Sequence, residues 1–183
     1  NTFPPSSTPL PKALIHSLGH LKKACALANL ELGNLHEDIS QLIQDAADEV
    51  AAGAHDSHFP VSVFQTGSGT STNMNANEVI ANRCSQMRGE ALGSKKPVHP
   101  NDHANQGQSS NDTIPTALHL SLALALKDSL QPALSQLQEA LEEKSAQWAD
   151  LVKLGRTHLM DAVPITLGQE FGAFARQAEK ATR

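Results

Sequence analysis

The sequence predicts a mainly α-helical protein, and three observations carry that expectation. Apolar residues recur at intervals of three and four through most of the chain, while strict alternation is confined to a few residues. The apolar complement rests on Leu, Ala and Val, with one Trp, five Phe and no Tyr in 183 residues, a bias toward good helix formers. The glycine-bearing polar strings lie between the periodic segments, and each leads into one of them.

The elements follow in order. Residues 1–9 are rich in Pro, Ser and Thr and read as an extended entry segment. After Pro11, suited to a first helical turn, Leu14, Leu18, Leu21, Cys25, Ala28 and Leu32 form a stripe that ends at Gly33. A second helix opens with Glu37 and Asp38, favourable at its positive end, carries Ile39, Leu42, Ile43, Ala46, Ala47 and Val50, and stops at Gly53. The two are expected to pack as a hairpin. Phe59–Phe64 alternates and contains Pro60, which predicts a short extended or edge segment.

A third helix is expected from Thr70 to about Met87, with Met74, Val79, Ile80 and Cys84 on one face and Gly89 beyond its end. Residues 90–107 lack a period and form a long loop. Leucines at 118, 122, 126, 130, 134, 137 and 141 predict a long helical region from near Pro115 to about Asp150, kinked or divided by Pro132. A loop over Gly155–Pro164 then precedes a last helix that starts around Leu167 and still reads as helix at Arg183.

Composition narrows the function. The formal net charge of −5 and the lack of any basic run longer than Lys22-Lys23 or Lys95-Lys96 argue against nucleic acid as a partner. An anionic ligand would have to be attracted locally, by helix N-termini and neutral donors. Cys25 and Cys84 are too few for a metal motif, and His16, His20, His36, His55 and His58 have no carboxylate or Cys at ligand spacing, so no metal is expected. No apolar stretch approaches a membrane span. The expected compartment is reducing and intracellular: cytoplasmic, or the mitochondrial matrix in a eukaryotic source.

Three polar strings carry the candidate chemistry. In Gly67-Ser68-Gly69-Thr70-Ser71-Thr72-Asn73, glycines allow close backbone approach and a helix start presents donors to an anion, although a capped glycine turn explains the same string. Gln108-Ser109-Ser110-Asn111-Asp112-Thr113 holds more hydrogen-bonding side chains than one cap uses. Gly155-Arg156-Thr157-His158-Leu159-Met160-Asp161 contains a histidine among polar neighbours, placed for proton transfer near neutral pH or simply solvated. His99-Pro100-Asn101-Asp102 reads as a turn. Together they provide many neutral donors and one titratable group, without a phosphate loop, a dinucleotide fingerprint or a serine-hydrolase elbow.

In order and spacing, Thr66-Gly67-Ser68-Gly69-Thr70, His99-Pro100-Asn101-Asp102, Gln108-Ser109-Ser110-Asn111-Asp112 and Gly155-Arg156-Thr157-His158 resemble the class II fumarases of the fumarase/aspartase superfamily, from about Leu14 to the end. The resemblance implies reversible hydration of fumarate to L-malate without a cofactor. It implies that Ser68 and Thr70 hold a substrate carboxylate, that Ser109, Ser110 and Asn111 form a second donor set, that Thr157 contacts substrate and that His158 is catalytic. A second dicarboxylate site would use His99, Asn101, Asp102 and Lys96. The family architecture implies a small N-terminal helical domain over 1–108, incomplete at its start, and the truncated opening of a long helical bundle over 109–183. It also implies a homotetramer whose active sites draw on three subunits.

Two departures stand beside the resemblance. The family's mobile loop, Gly-Ser-Ser-x-Met-Pro-x-Lys-x-Asn, which carries the base for C3 and a substrate-binding lysine, is absent from this chain. Residues 105–108 read Asn-Gln-Gly-Gln, where many members have Lys-Ser or Lys-Cys before the final Gln. Aspartate ammonia-lyase is the nearest alternative, but it typically has Gln at the position of His158 and Thr at that of Ser110. A non-catalytic fragment is the alternative of another class.

Overall fold

The computed structural model describes residues 8–64 and 67–182, so most of the entry segment, Thr66 and Arg183 lie outside the described residues. The architecture is mainly α-helical, as expected, and the chain divides into two compact units, 1–122 and 123–183, with the division inside a helix.

In the first unit, α1 (Lys12–Glu31) and α2 (Glu37–Ala51) form the expected hairpin. Gly19 sets their spacing. A Cβ there would lie 2.5 Å from the amide nitrogen and 3.0 Å from the Cα of Ala51, and 2.7 Å from the carbonyl oxygen of Ala47, so only glycine permits this approach. Leu18, Ile43 and Ile80 are fully buried at the centre, and each such aliphatic contributes roughly 1.5–3 kcal/mol through loss of apolar surface from water.

The buried face of α1 differs from the predicted stripe. Leu14 and Leu18 are buried, but the face continues through Lys22, Ala26 and Asn29, whereas Ala28 and Leu32 are exposed. Two polar residues therefore occupy positions that a count of apolar residues passes over.

A turn at 53–58 leads to the extended segment, whose Ser62 bridges to Pro9 while the Val63 amide donates to Thr8. The segment is extended, as expected, and meets the entry segment through this bridge. α3 (Thr70–Met87) packs on α2. Arg83 grips Glu49 through Nε and Nη2 at 2.6 and 2.9 Å, His55 meets the same carboxylate at 2.7 Å, and the Arg83 hydrogen bonds chiefly hold the Glu49 carboxyl below its usual range. The long loop after α3 contains a wide π-helical turn at Pro100–Ala104, and α4 (Ser110–Ala125) follows. α4 begins five residues before Pro115, which lies inside it. The missing Pro115 N–H leaves the Asn111 carbonyl without its helical partner.

In the second unit a π-helical turn at Leu126–Leu130 precedes α5 (Gln131–Gln147), whose first turn contains Pro132. Pro132 cannot donate to the carbonyl of Asp128, which accounts for the change of winding at the expected place. The segment read as a loop over 155–164 is instead an antiparallel hairpin, β1 (Val152–Thr157) with β2 (Met160–Thr166), bulged between Leu154 and Arg156. Pro164 is compatible with β2 because a two-stranded ribbon leaves each strand an unpaired edge where a missing N–H costs little.

α6 (Leu167–Ala181) starts with a capping box between Thr166 and Gln169 and lies close to α5, with Ser145 Oγ donating to the Gly168 carbonyl at 2.7 Å. Leu118, Leu122, Leu126, Leu130 and Leu137 remain exposed along α4, the π-helical turn and α5. Among the described residues no helix is long and apolar enough to cross a membrane.

Gly19→Ala is expected to destabilise the first unit despite alanine's advantage of about 1 kcal/mol in helix propensity. The added methyl meets backbone, and overpacking of this kind costs about 1–3 kcal/mol. Urea unfolding of the 183-residue chain, followed by circular dichroism, measures the loss. An undiminished midpoint would show that the α1–α2 spacing does not depend on Gly19.

Candidate functional site

The start of α3 and the start of α4 are brought together by a glycine. Gly69 caps α3 in the left-handed conformation, φ 69°, and a Cβ there would sit 2.9–3.2 Å from side-chain carbons of Ile114. With no side chain on one partner, Ile114 packs over Gly69, and the hydroxyls on either side converge. Thr70 Oγ1 lies 3.0 Å from Ser68 Oγ and 3.0 Å from Ser110 Oγ, a chain of three hydroxyls joined by two hydrogen bonds. Three hydroxyls own three protons and this chain uses two, so one proton remains for an acceptor placed beside them.

Neighbouring backbone groups strengthen the site. The hydroxyls sit at the N-terminal ends of α3 and α4, where the partial positive charge of a helix favours an anion. Ser109 Oγ accepts from the Asn111 N–H at 3.2 Å, so Ser109 partly caps its own helix, while Asn111 is exposed beside it. Asp112 in the first turn of α4 adds a negative charge that reduces the attraction. The arrangement suits one small carboxylate better than a highly charged phosphate.

Beneath the Ser109–Asn111 segment lies a network that the sequence reading missed. Lys22 is fully buried, and its Nζ donates to Asn105 Oδ1 at 3.1 Å and Gln108 Oε1 at 2.8 Å. Asn73 in α3 donates to the same Asn105 oxygen, and Asn105 Nδ2 donates to the Gln108 carbonyl. Asn29, two turns after Lys22 on α1, donates to the Gln106 carbonyl at 3.0 Å. Burial pushes the Lys22 ammonium down to about 8, partly offset by the Cys25 thiol nearby. The available signal was the spacing Leu14, Leu18, Lys22, Ala26, Asn29, which follows one helical face.

Thr157 and His158 belong to the second unit. They sit at the end of β1, where Thr157 pairs with Met160 across a two-residue turn, and both central residues are left-handed, His158 at φ 51° and Leu159 at φ 61°. Both side chains at this turn are exposed, and no hydrogen bond to the His158 ring forms among the described residues.

Of the second set, three residues come together. His99 Nδ1 accepts from the Asn101 and Asp102 amides at 3.3 and 3.2 Å, and an Asp102 carboxylate oxygen is also 3.2 Å away. A nitrogen that accepts two N–H groups carries no proton, which places the neutral ring's proton on Nε2. Lys96 lines a cleft with Asp38, Leu42, Arg88, Glu90 and Pro97. Among the described residues no three His, Cys, Asp or Glu side chains are grouped to hold a metal ion.

A family model described as a lyase matches residues 6–183, and the chain belongs to that lyase family. Within it, the chain is similar to class II fumarate hydratases. It is 56% identical over 174 residues to "Fumarate hydratase class II 1" of Pseudomonas aeruginosa, covering 95% of this chain and 38% of the relative. It is 60% identical over 168 residues to the class II fumarate hydratase of Thermus aquaticus, covering 92% and 36%. Among solved structures, a class II fumarase from Schistosoma mansoni superposes with TM-score 0.91 at 41% identity, covering 96% of this chain and 37% of that one. A fumarate lyase:delta crystallin structure from Brucella melitensis gives 0.92 at 46%, covering 99% and 42%. The chain therefore spans 36–38% of the length of these two curated relatives.

The buried ammonium makes a prediction about stability. Lys22 goes from its ordinary 10.5 to about 8 on folding, so between those pH values the unfolded chain binds more protons and stability must rise with pH, by about 3 kcal/mol in total. Below about pH 8 both states are protonated and the gain is absent. Cys84, pushed up to about 12 by burial, opposes this trend above pH 9, so the comparison must be with Lys22→Met. Urea unfolding at pH 7 to 10.5 is expected to show the rise in the parent relative to the variant, and parallel pH profiles would refute the assignment.

Proposed function

We propose that this chain is the N-terminal and early central part of a class II fumarate hydratase, which adds water reversibly to fumarate to give L-malate. The observation that carries the reading is the Ser68–Thr70–Ser110 hydroxyl chain at two converging helix starts, in a chain 56–60% identical to fumarate hydratases. Such a site offers neutral donors to a carboxylate and does not depend on the chain's overall charge.

In this reading Ser68 and Thr70 hold one carboxylate of the dicarboxylate substrate, and Ser109, Ser110, Asn111 and Thr157 supply further donors. Dehydration of malate removes the C3 proton to give a carbanion whose charge spreads into the adjacent carboxylate, and hydroxide leaves C2. Preorganised donors at that carboxylate stabilise the added charge, each by up to about 10²–10³ in rate. His158 protonates the departing hydroxyl, directly or through a water. The C3 base belongs to polypeptide beyond this chain, so the 183-residue chain alone is expected to lack turnover.

The same reading assigns His99, Asn101, Asp102 and Lys96 to a second dicarboxylate site, residues 1–108 and 109–183 to successive domains, and the full-length protein to a homotetramer in the cytoplasm or mitochondrial matrix. No cofactor is required. Against an aspartate ammonia-lyase stand His158, where that enzyme typically has Gln, and Ser110, where it has Thr.

The full-length enzyme is expected to hydrate fumarate after chelation and dialysis, followed by the loss of fumarate's ultraviolet absorbance. Activity abolished by chelation and restored by a metal would point to another class. His158→Asn should lower turnover by about 10²–10⁴ with little effect on binding of a dicarboxylate inhibitor, because a proton donor acts chiefly in the transition state. Ser110→Ala should weaken both, since its carboxylate partner is present throughout. His99→Asn should leave turnover within about tenfold of the parent. If His99→Asn abolishes turnover and His158→Asn does not, the two sites are assigned the wrong way round.

A further inference from the structure

We propose that Lys22 is a positioning residue of the carboxylate site: from within the core it fixes the turn that delivers Ser109 and Ser110 and supplies the positive charge against which a dicarboxylate binds. This rests on reading the hydroxyl chain as a dicarboxylate site.

The geometry sets Lys22 apart from an ordinary structural lysine. A lysine is almost never fully buried unless it is paired with an opposite charge. Lys22 is fully buried, yet its partners are two neutral amide oxygens, Asn105 Oδ1 and Gln108 Oε1, and no carboxylate pairs with it among the described residues. An apolar side chain of similar volume would serve the core at least as well. Both partners belong to the turn that enters α4. Gln108 immediately precedes Ser109 and Ser110, and its carbonyl is tied back by Asn105. Asn105 also receives Asn73, three residues after Thr70 in α3. One ammonium thus braces both helix starts from which the hydroxyls come.

The charge has a use there as well. Asp112 puts a negative group at the start of α4, where an anion is to bind, so a positive charge on the network that holds this turn favours the anion. The titratable group acting on Lys22 is Cys25, one turn on along α1, and Asp112 acts on Cys25 in turn. Proton binding at Lys22 and anion binding above it are then coupled, and each must strengthen the other by the same factor.

The test uses the full-length enzyme with succinate, an unreactive dicarboxylate whose carboxyls stay ionised from pH 7 to 9. In Lys22→Met, which keeps the apolar stem, the succinate inhibition constant and the KM for malate are expected to rise by about tenfold or more. The fall in kcat should be smaller. Lys22→Arg, if it folds, should retain part of the affinity. In the parent, succinate should bind more weakly as pH rises through about 8, and that dependence should vanish in Lys22→Met. If Lys22→Met does not fold, the parent's pH profile decides alone. Succinate affinity in Lys22→Met within twofold of the parent, or a flat parent profile, would overturn the role of Lys22 and leave the site reading standing. A parent that binds no dicarboxylate would overturn the site reading itself.

Discussion

The hydrogen bonds from Lys22 to Asn105 and Gln108 are the constraint on which the first unit's polar site depends. The 99–109 segment has little apolar content to hold it in place; Pro100 and Ala104 are its buried residues. Its position is fixed instead by polar groups projecting from the buried face of α1, Lys22 at one turn and Asn29 two turns later. Amide oxygens satisfied in this way cannot swing out to water without orphaning the ammonium, and an unpaired buried charge costs far more than a lost neutral bond. The ordering of the loop is therefore electrostatic where that of the α1–α2 hairpin is steric.

That distinction explains what could be read from the sequence. α2 was legible from its apolar stripe, its acidic first turn and Gly53, and the structure places it at Glu37–Ala51. α3 was legible despite its asparagines, because Ile80 and Cys84 repeat at helical spacing and both are buried. The face of α1 was not, since hydrophobic periodicity assigns a lysine and an asparagine to the surface, and only the loop opposite them reveals why they are inside. The hairpin at 152–166 was hidden for another reason: Pro164 and Gly155 usually end strands, and here they mark an edge position and a bulge.

The candidate site was legible as strings but not as an arrangement. Ser68, Thr70 and Ser110 stood out as donors near helix starts, yet nothing in their spacing says that residues 70 and 110 touch. That contact depends on Gly69 meeting Ile114, a pairing between a missing side chain and an aliphatic one. Charge follows the same pattern. A net charge of −5 would repel a dianion, but it is felt over roughly a Debye length of 8 Å at physiological ionic strength. Two helix N-termini and a buried ammonium act at shorter range, so the local terms decide.

His158 and Leu159 pose a separate question of conformation. A two-residue hairpin turn with both central residues at positive φ is ordinarily built from Asn, Asp or Gly, because those residues enter the left-handed region at little cost. Here a histidine and a leucine occupy it, at φ 51° and 61°, in a unit where the register is otherwise secured by Gly155, whose Cβ would meet the Val163 carbonyl oxygen at 2.8 Å. Strain of roughly 1–3 kcal/mol per residue persists only where the surrounding structure imposes it. Leu159 is almost entirely exposed at 98%, so packing within this unit does not select it, and neither residue relieves the turn. What the turn does secure is the backbone at His158, since a two-residue connection between paired strands has few alternative conformations. Under the proposed role of His158 as a proton donor, that restriction matters more than a comfortable turn, because such a role needs the imidazole held in one place.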